Sequence, residues 1–172
     1  MDRKKRILIL IIVLIAFAGI FVWPKISDRN GDTGWQTFTD NETGIFFKYP
    51  EKFSTTYIEA YDWPPRVEVL DERFSCTEAG EETARAGETR KVAVGNREYC
   101  VTSVVGAAAG SIYTQYAFAF PKNDKTVILT FTVRSVQCGN YDEPQKILCE
   151  AERETFDVNI VIDYIAQSVS LN

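Results

Sequence analysis

Histidine is missing altogether from the 172 residues, and methionine occurs once. Without an imidazole, the side chain that most often exchanges a proton near neutral pH, Ser-His and Cys-His catalytic pairings are excluded. Mixed cysteine and histidine zinc sites are excluded with them. Cations are scarce past residue 23, where 15 Lys and Arg face 23 Asp and Glu, a formal charge of minus eight. Such a surface repels phosphate backbones, so no nucleic-acid partner is expected. Acidity of this size otherwise means solubility. A phosphate loop is missing too: GAAAGS at 106–111 has no lysine and lies between two β-prone runs, so it reads as a hairpin tip of small residues. No repeat or low-complexity block divides the chain.

What is present begins with MDRKKRILILIIVLIAFAGIFVWPK. Residues 7–23 are seventeen positions without a charge or a polar side chain, and a helix of that length spans roughly 25 Å, the short end for a bilayer. Ala16-Phe17-Ala18 fits a signal-peptide cut site. The apolar run nevertheless continues through Gly19 to Trp23, where a cleavable signal turns polar, which favours a retained anchor. Arg3, Lys4, Lys5 and Arg6 precede the run with only Asp2 against them, so the positive-inside bias keeps the N-terminus in the cytosol. Trp23 suits the far interface, and Pro24 stops the helix. A lipoprotein anchor is excluded, because the first cysteine is Cys76. The expected organisation is a cytosolic basic N-terminus at 1–6, a transmembrane anchor at 7–23, a linker at 24–33 and an extracytoplasmic domain at 34–172. The protein is thus expected in the cytoplasmic membrane, single-pass, with its C-terminal domain outside.

The four cysteines, Cys76, Cys100, Cys138 and Cys149, all fall in the outer portion. An even number there points to disulfides. Zinc ligands come as closely spaced pairs, which these gaps are not. Of the three possible pairings, proximity along the chain favours Cys76 with Cys100 and Cys138 with Cys149. Asp28-Arg29-Asn30-Gly31-Asp32 resembles the start of a calcium loop, but the glycine comes one place late and Thr39 stands where the closing glutamate belongs. No metal or cofactor set is read from the sequence.

Residues 34–172 suit one domain. Runs 35–39 and 45–49 are β-prone and joined by DNETG, a hairpin pattern. Short extended runs at 55–60 and 66–70 flank YDWPP, and SCTEAGEETARAGET reads as a polar surface loop. Four β-rich segments, 90–94, 97–105, 112–120 and 126–134, are separated by short links and form an antiparallel meander. In the last of them Val127, Leu129, Phe131 and Val133 share one face. Its predecessor sets Ala117 and Ala119 on the second face, leaving room for a second cover. A helix capped by Asp142, with Pro144 in its first turn, runs through KILCEAERE. Another follows Asp157, with Val158, Val161, Ile162, Ile165 and Val169 on one side and Asn159, Asp163, Gln167 and Ser170 opposite.

GWQTFTDNETGIFFKYPEKF resembles the opening of PsbP-like domains, and REYCVTSVVGAAAGSIYTQYAF with QCGNYDEPQKILCEAERETF is similar to paired-cysteine segments of uncharacterised, membrane-anchored bacterial proteins. The resemblance implies an α+β fold over 34–172, a central antiparallel β-sheet covered by helices as an α/β/α sandwich, preceded by one transmembrane helix. It transfers no catalytic residues.

The stretch YDWPPR is the candidate recognition loop: Tyr61, Trp63 and Arg66 are of the types enriched at binding hot spots, and two prolines stiffen the loop. The competing reading tucks Trp63 into the core. Ser111 has no base near it in sequence, although folding could bring up a lysine, and Glu81 with Glu82 sit in a loop without defined separation. The expected function is therefore a non-enzymatic, membrane-anchored module that binds an envelope protein or a wall component. The alternative is an envelope hydrolase using carboxylates or a Ser-Lys pair. A pilin-like subunit is disfavoured, since the apolar run lacks the glutamate such subunits carry near its start.

Overall fold

The computed structural model describes residues 34–40, 43–80 and 87–171. The expected segments 1–6, 7–23 and 24–33, the calcium-like stretch 28–32, Glu81 and Glu82 lie outside these residues. Among the described residues no helix is long and apolar enough to cross a membrane.

Among the described residues eight strands form two antiparallel sheets. β1 (Trp35–Asp40), β2 (Ile45–Pro50) and β8 (Ser170–Leu171) make a three-stranded sheet in the order β1-β2-β8. β3 (Ile58–Leu70), β4 (Glu88–Val94), β5 (Arg97–Ala108), β6 (Ser111–Lys122) and β7 (Lys125–Val136) make a five-stranded sheet in the order β3-β7-β6-β5-β4. Two helices follow, α1 (Gln145–Thr155) and α2 (Val158–Ser168).

Period-two alternation decides what each strand buries. Phe118, Phe120, Val127, Leu129, Phe131 and Val133 form the core side of the large sheet, facing Ile45 and Phe47 of β2 and Ile162, Ile165 and Ala166 of α2. Phe118 and Phe131 stack at 5.8 Å, and Phe38 stacks on Phe47 at 4.9 Å. The α2 stripe expected from its spacing is therefore the buried one, and Asp157 caps this helix by accepting from the Asn159 N–H at 2.9 Å.

The α+β sandwich expectation fails. The described chain is mostly strand, with two sheets across one core and only two short helices. A single helix, α2, lies on the core side of the large sheet. The second face, where a further cover was expected over Ala117 and Ala119, receives no helix among the described residues. Residues 71–80 instead leave β3 at one edge of the sheet and reach β4 at the other. On the way, the Glu72 carbonyl accepts from Thr126 Oγ1 at 3.0 Å, Cys76 bonds to Cys100, and Ala79 bridges to Thr89. Thr126 and Cys100 alternate with the core-facing Val127 and Tyr99, so this strap runs over the alanine side. Alanines suit an extended strand of backbone lying close above them.

α1 buries only Cys149 and leaves Ile147 and Leu148 exposed. A helix that buries one sulfur is an appendage and not a layer. It is held by the Cys138–Cys149 bridge and by the Glu152 carboxylate, which accepts from the Thr56 and Tyr57 N–H groups at 2.8 and 2.6 Å. Asp142 does not cap it through its side chain. Its carbonyl accepts from the Lys146 N–H, and Pro144 precedes the helix.

Candidate functional site

β3 runs unbroken through the stretch expected to be a loop. Its pairing with β7 shifts register between Ala60 and Asp62 and again between Asp62 and Arg66. Pro64 and Pro65 have no N–H to donate, and an edge strand next to a bulge tolerates that. The irregularity separates the three residues picked for recognition. Trp63 turns inward: its Nε1 donates to the Pro50 carbonyl at 2.7 Å, and its ring meets Phe53, Phe131 and Tyr49 edge-on at 5.3, 5.7 and 6.2 Å. Tyr61 stays 61% exposed, steadied by Tyr113 at 5.3 Å, and Arg66 is exposed beyond the prolines.

A groove of about 560 Å3 opens beside Tyr61 and Trp63, with Glu51, Lys52, Thr55 and Glu59 among its walls. Thr55 Oγ1 already donates to the Ile58 carbonyl, and Glu59 is paired with Arg134 at 2.9 Å. A second groove, of about 630 Å3, follows the open side between the two sheets. Ile45 of β2, Val67 and Val69 of β3 and Leu171 of β8 supply apolar walls, and Thr43, Glu68, Asp71, Asn123 and Lys125 complete the lining. Val67 and Val69 pair in register with Leu129 and Val127, which places them on the core side of the sheet. Lys125 Nζ lies 2.7 Å from Asp71 Oδ1, while Glu68 has no ionic partner among the described residues. Nothing in the sequence pattern pointed to this groove, because its walls come from strands distant along the chain.

The candidate nucleophile Ser111 is buried at a tight hairpin, where Ala109 and Gly110 both take positive φ, 47° and 73°. GAAAGS is thus the hairpin tip expected. A Cβ at position 110 would stand 2.8 Å from Asn140 Nδ2, which donates to the Gly110 carbonyl at 2.9 Å. Ser111 Oγ accepts from Arg134 Nε at 3.1 Å. A guanidinium takes up no proton, so this neighbour cannot serve as a base.

Among the described residues a cluster of titratable groups forms between β5 and α2, where no local pattern marks it. The buried Tyr99 hydroxyl donates to Asp163 Oδ1 at 2.5 Å, Arg97 Nη1 reaches the same oxygen at 3.3 Å, and Gln167 Nε2 donates to Oδ2 at 2.6 Å. Burial, reinforced by the hydrogen bond to Asp163 and its charge, raises the Tyr99 phenol far above its ordinary value. Partial burial alone would raise the Asp163 carboxyl, but the bonds from Tyr99, Gln167 and Arg97 outweigh it and lower the group. Both groups stay in one protonation state near neutrality. The cluster lines neither groove and clamps α2 to β5. Helical spacing sets Asp163 opposite the apolar stripe, and only the fold brings Tyr99 beneath it.

Among the described residues no group of three or more His, Cys, Asp or Glu is arranged to hold a metal ion. The cysteines pair as chain proximity favoured, Cys76 with Cys100 and Cys138 with Cys149, at Cα separations of 5.3 and 5.6 Å, and none is free. No family model, curated protein or solved structure matches the chain.

Proposed function

We propose that this protein is a non-enzymatic binding module of the cell envelope, working outside the cytoplasmic membrane and held there by the apolar segment 7–23, with an envelope protein or wall component as its partner. The pairing of all four cysteines carries the reading, because such bonds persist in oxidising compartments and are rare in the cytosol. The cationic residues ahead of the apolar run support the same orientation. Binding is favoured over catalysis because the groove of about 630 Å3 has apolar walls from Ile45, Val67, Val69 and Leu171. The buried serine, for its part, faces a guanidinium.

The test is made on the protein in its native cells. Thiols are alkylated before lysis, and spheroplasts are treated with protease from outside. Full protection of the four cysteines from alkylation until a reductant is added, with digestion of the C-terminal domain, is the expected result. Free thiols in freshly sampled cells, or a C-terminus shielded from protease, would overturn the assignment.

A further inference from the structure

The groove between β3 and β8 has the features of a strand-addition site. We propose that it docks an extended peptide of a partner protein, one that alternates apolar side chains with lysine or arginine and adds itself as a strand along the β3 edge. This rests on the binding-module reading and names its site and ligand class.

Three observations carry it. β3 is the last strand of its sheet and pairs only with β7 among the described residues, so its other side presents main-chain groups. The first half of that edge is blunted by the double register shift and by two prolines, devices that discourage strand pairing. From Arg66 to Leu70 the register with β7 is regular, so the outward N–H and C=O groups keep strand spacing. The second observation is the apolar wall. Val67 and Val69 face Ile45 and Leu171 across the groove, and an added strand would send every second side chain between them. The third is charge. Among the residues that line the groove Lys125 is engaged by Asp71, which leaves the Glu68 carboxylate as the surplus and favours a cationic side chain opposite it, Arg66 at the start of the same edge lying outside the lining. A lipid chain would suit the apolar walls but leave the main-chain groups along the edge unanswered. A glycan would meet those groups but not the apolar walls.

The experiment uses the full-length protein in detergent micelles to select from a displayed library of random nine-residue peptides. Labelled synthetic copies of the selected peptides are then titrated by fluorescence anisotropy. Selected peptides should alternate apolar residues with Lys or Arg. Glu68→Lys, at an exposed position, and Val69→Asp should each weaken binding by roughly ten-fold or more, whereas Glu150→Ala, at an exposed position on α1 outside both grooves, should leave it unchanged. If Val69→Asp does not fold, Glu68→Lys decides alone. Failure to select any peptide, selection of acidic or non-alternating peptides, undiminished binding to Glu68→Lys, or loss of binding in Glu150→Ala would each overturn the proposal. The thiol and protease test does not involve this groove. Success there with failure here removes the peptide site only, and the opposite outcome removes the compartment assignment only.

Discussion

Replacing Trp63 with alanine separates the two roles the sequence allowed for this side chain. A tryptophan at the tip of a recognition loop is lost at little cost to folding. The one seen here is packed against Phe53, Phe131 and Tyr49, with its indole N–H donated to the Pro50 carbonyl. Truncating a packed aromatic side chain costs about 3 to 5 kcal/mol, and because Trp63 is only half-buried the lower end, about 3 kcal/mol, is expected. In a domain of this size that corresponds to a fall in Tm of roughly 10 °C. Trp63→Phe separates the contributions, since it keeps most ring contacts and loses only the hydrogen bond, about 1 kcal/mol. The measurement is thermal and urea unfolding of the full-length protein and both variants, followed by far-ultraviolet circular dichroism. A Trp63→Ala protein that melts within about 2 °C of the parent would refute the packing argument and return the indole to the surface.

Tyr61→Ala should leave Tm nearly unchanged, since the exposed ring offers only an edge contact to Tyr113, worth about 0.5 to 1 kcal/mol; a large loss would mean that the ring is part of the core. Cys138→Ser with Cys149→Ser should cost about 3 kcal/mol in the chain-entropy model and expose Lys146 and Arg153 on α1 to trypsin, because Cys149 is the helix's only buried residue; an unchanged digestion pattern would contradict this. Asp163 is depressed in the fold, so its contribution is present above the unfolded value near pH 4 and is lost as pH falls through the lower folded value. Asp163→Asn should flatten that acid limb of the urea-midpoint profile, and an unaltered limb would count against the cluster. Tyr99 is raised, so its contribution is whole below about pH 10 and is lost as pH climbs toward the folded value; Tyr99→Phe should remove that alkaline dependence.

The amino-acid sequence by itself determined what depends on neighbours a few positions apart. Alternation placed Val127, Leu129, Phe131 and Val133 on one face, a 3.6-residue stripe picked out Ile162 and Ile165, and the turn chemistry of DNETG and GAAAGS marked two hairpins. Short separations in the chain also selected the cysteine pairs, because a short loop closes at little entropic cost. The tertiary structure alone decided what meets across long separations. That YDWPP continues a strand, with Trp63 inward and Tyr61 outward, follows from pairing with β7, some 70 positions away. That Asp163 is bonded by Tyr99 follows from docking α2 on β5. Local pattern placed both helices, at KILCEAERE and after Asp157; the second helical layer was what the resemblance implied, and α1 does not supply it, because residues 71–80 run over that face of the large sheet. The groove between β3 and β8 belongs to this second class, since its walls exist only where two sheets stop without closing. Periodicity reports which side of a segment avoids water. Which surfaces remain unpaired after every segment has found its partner is a property of the assembled whole.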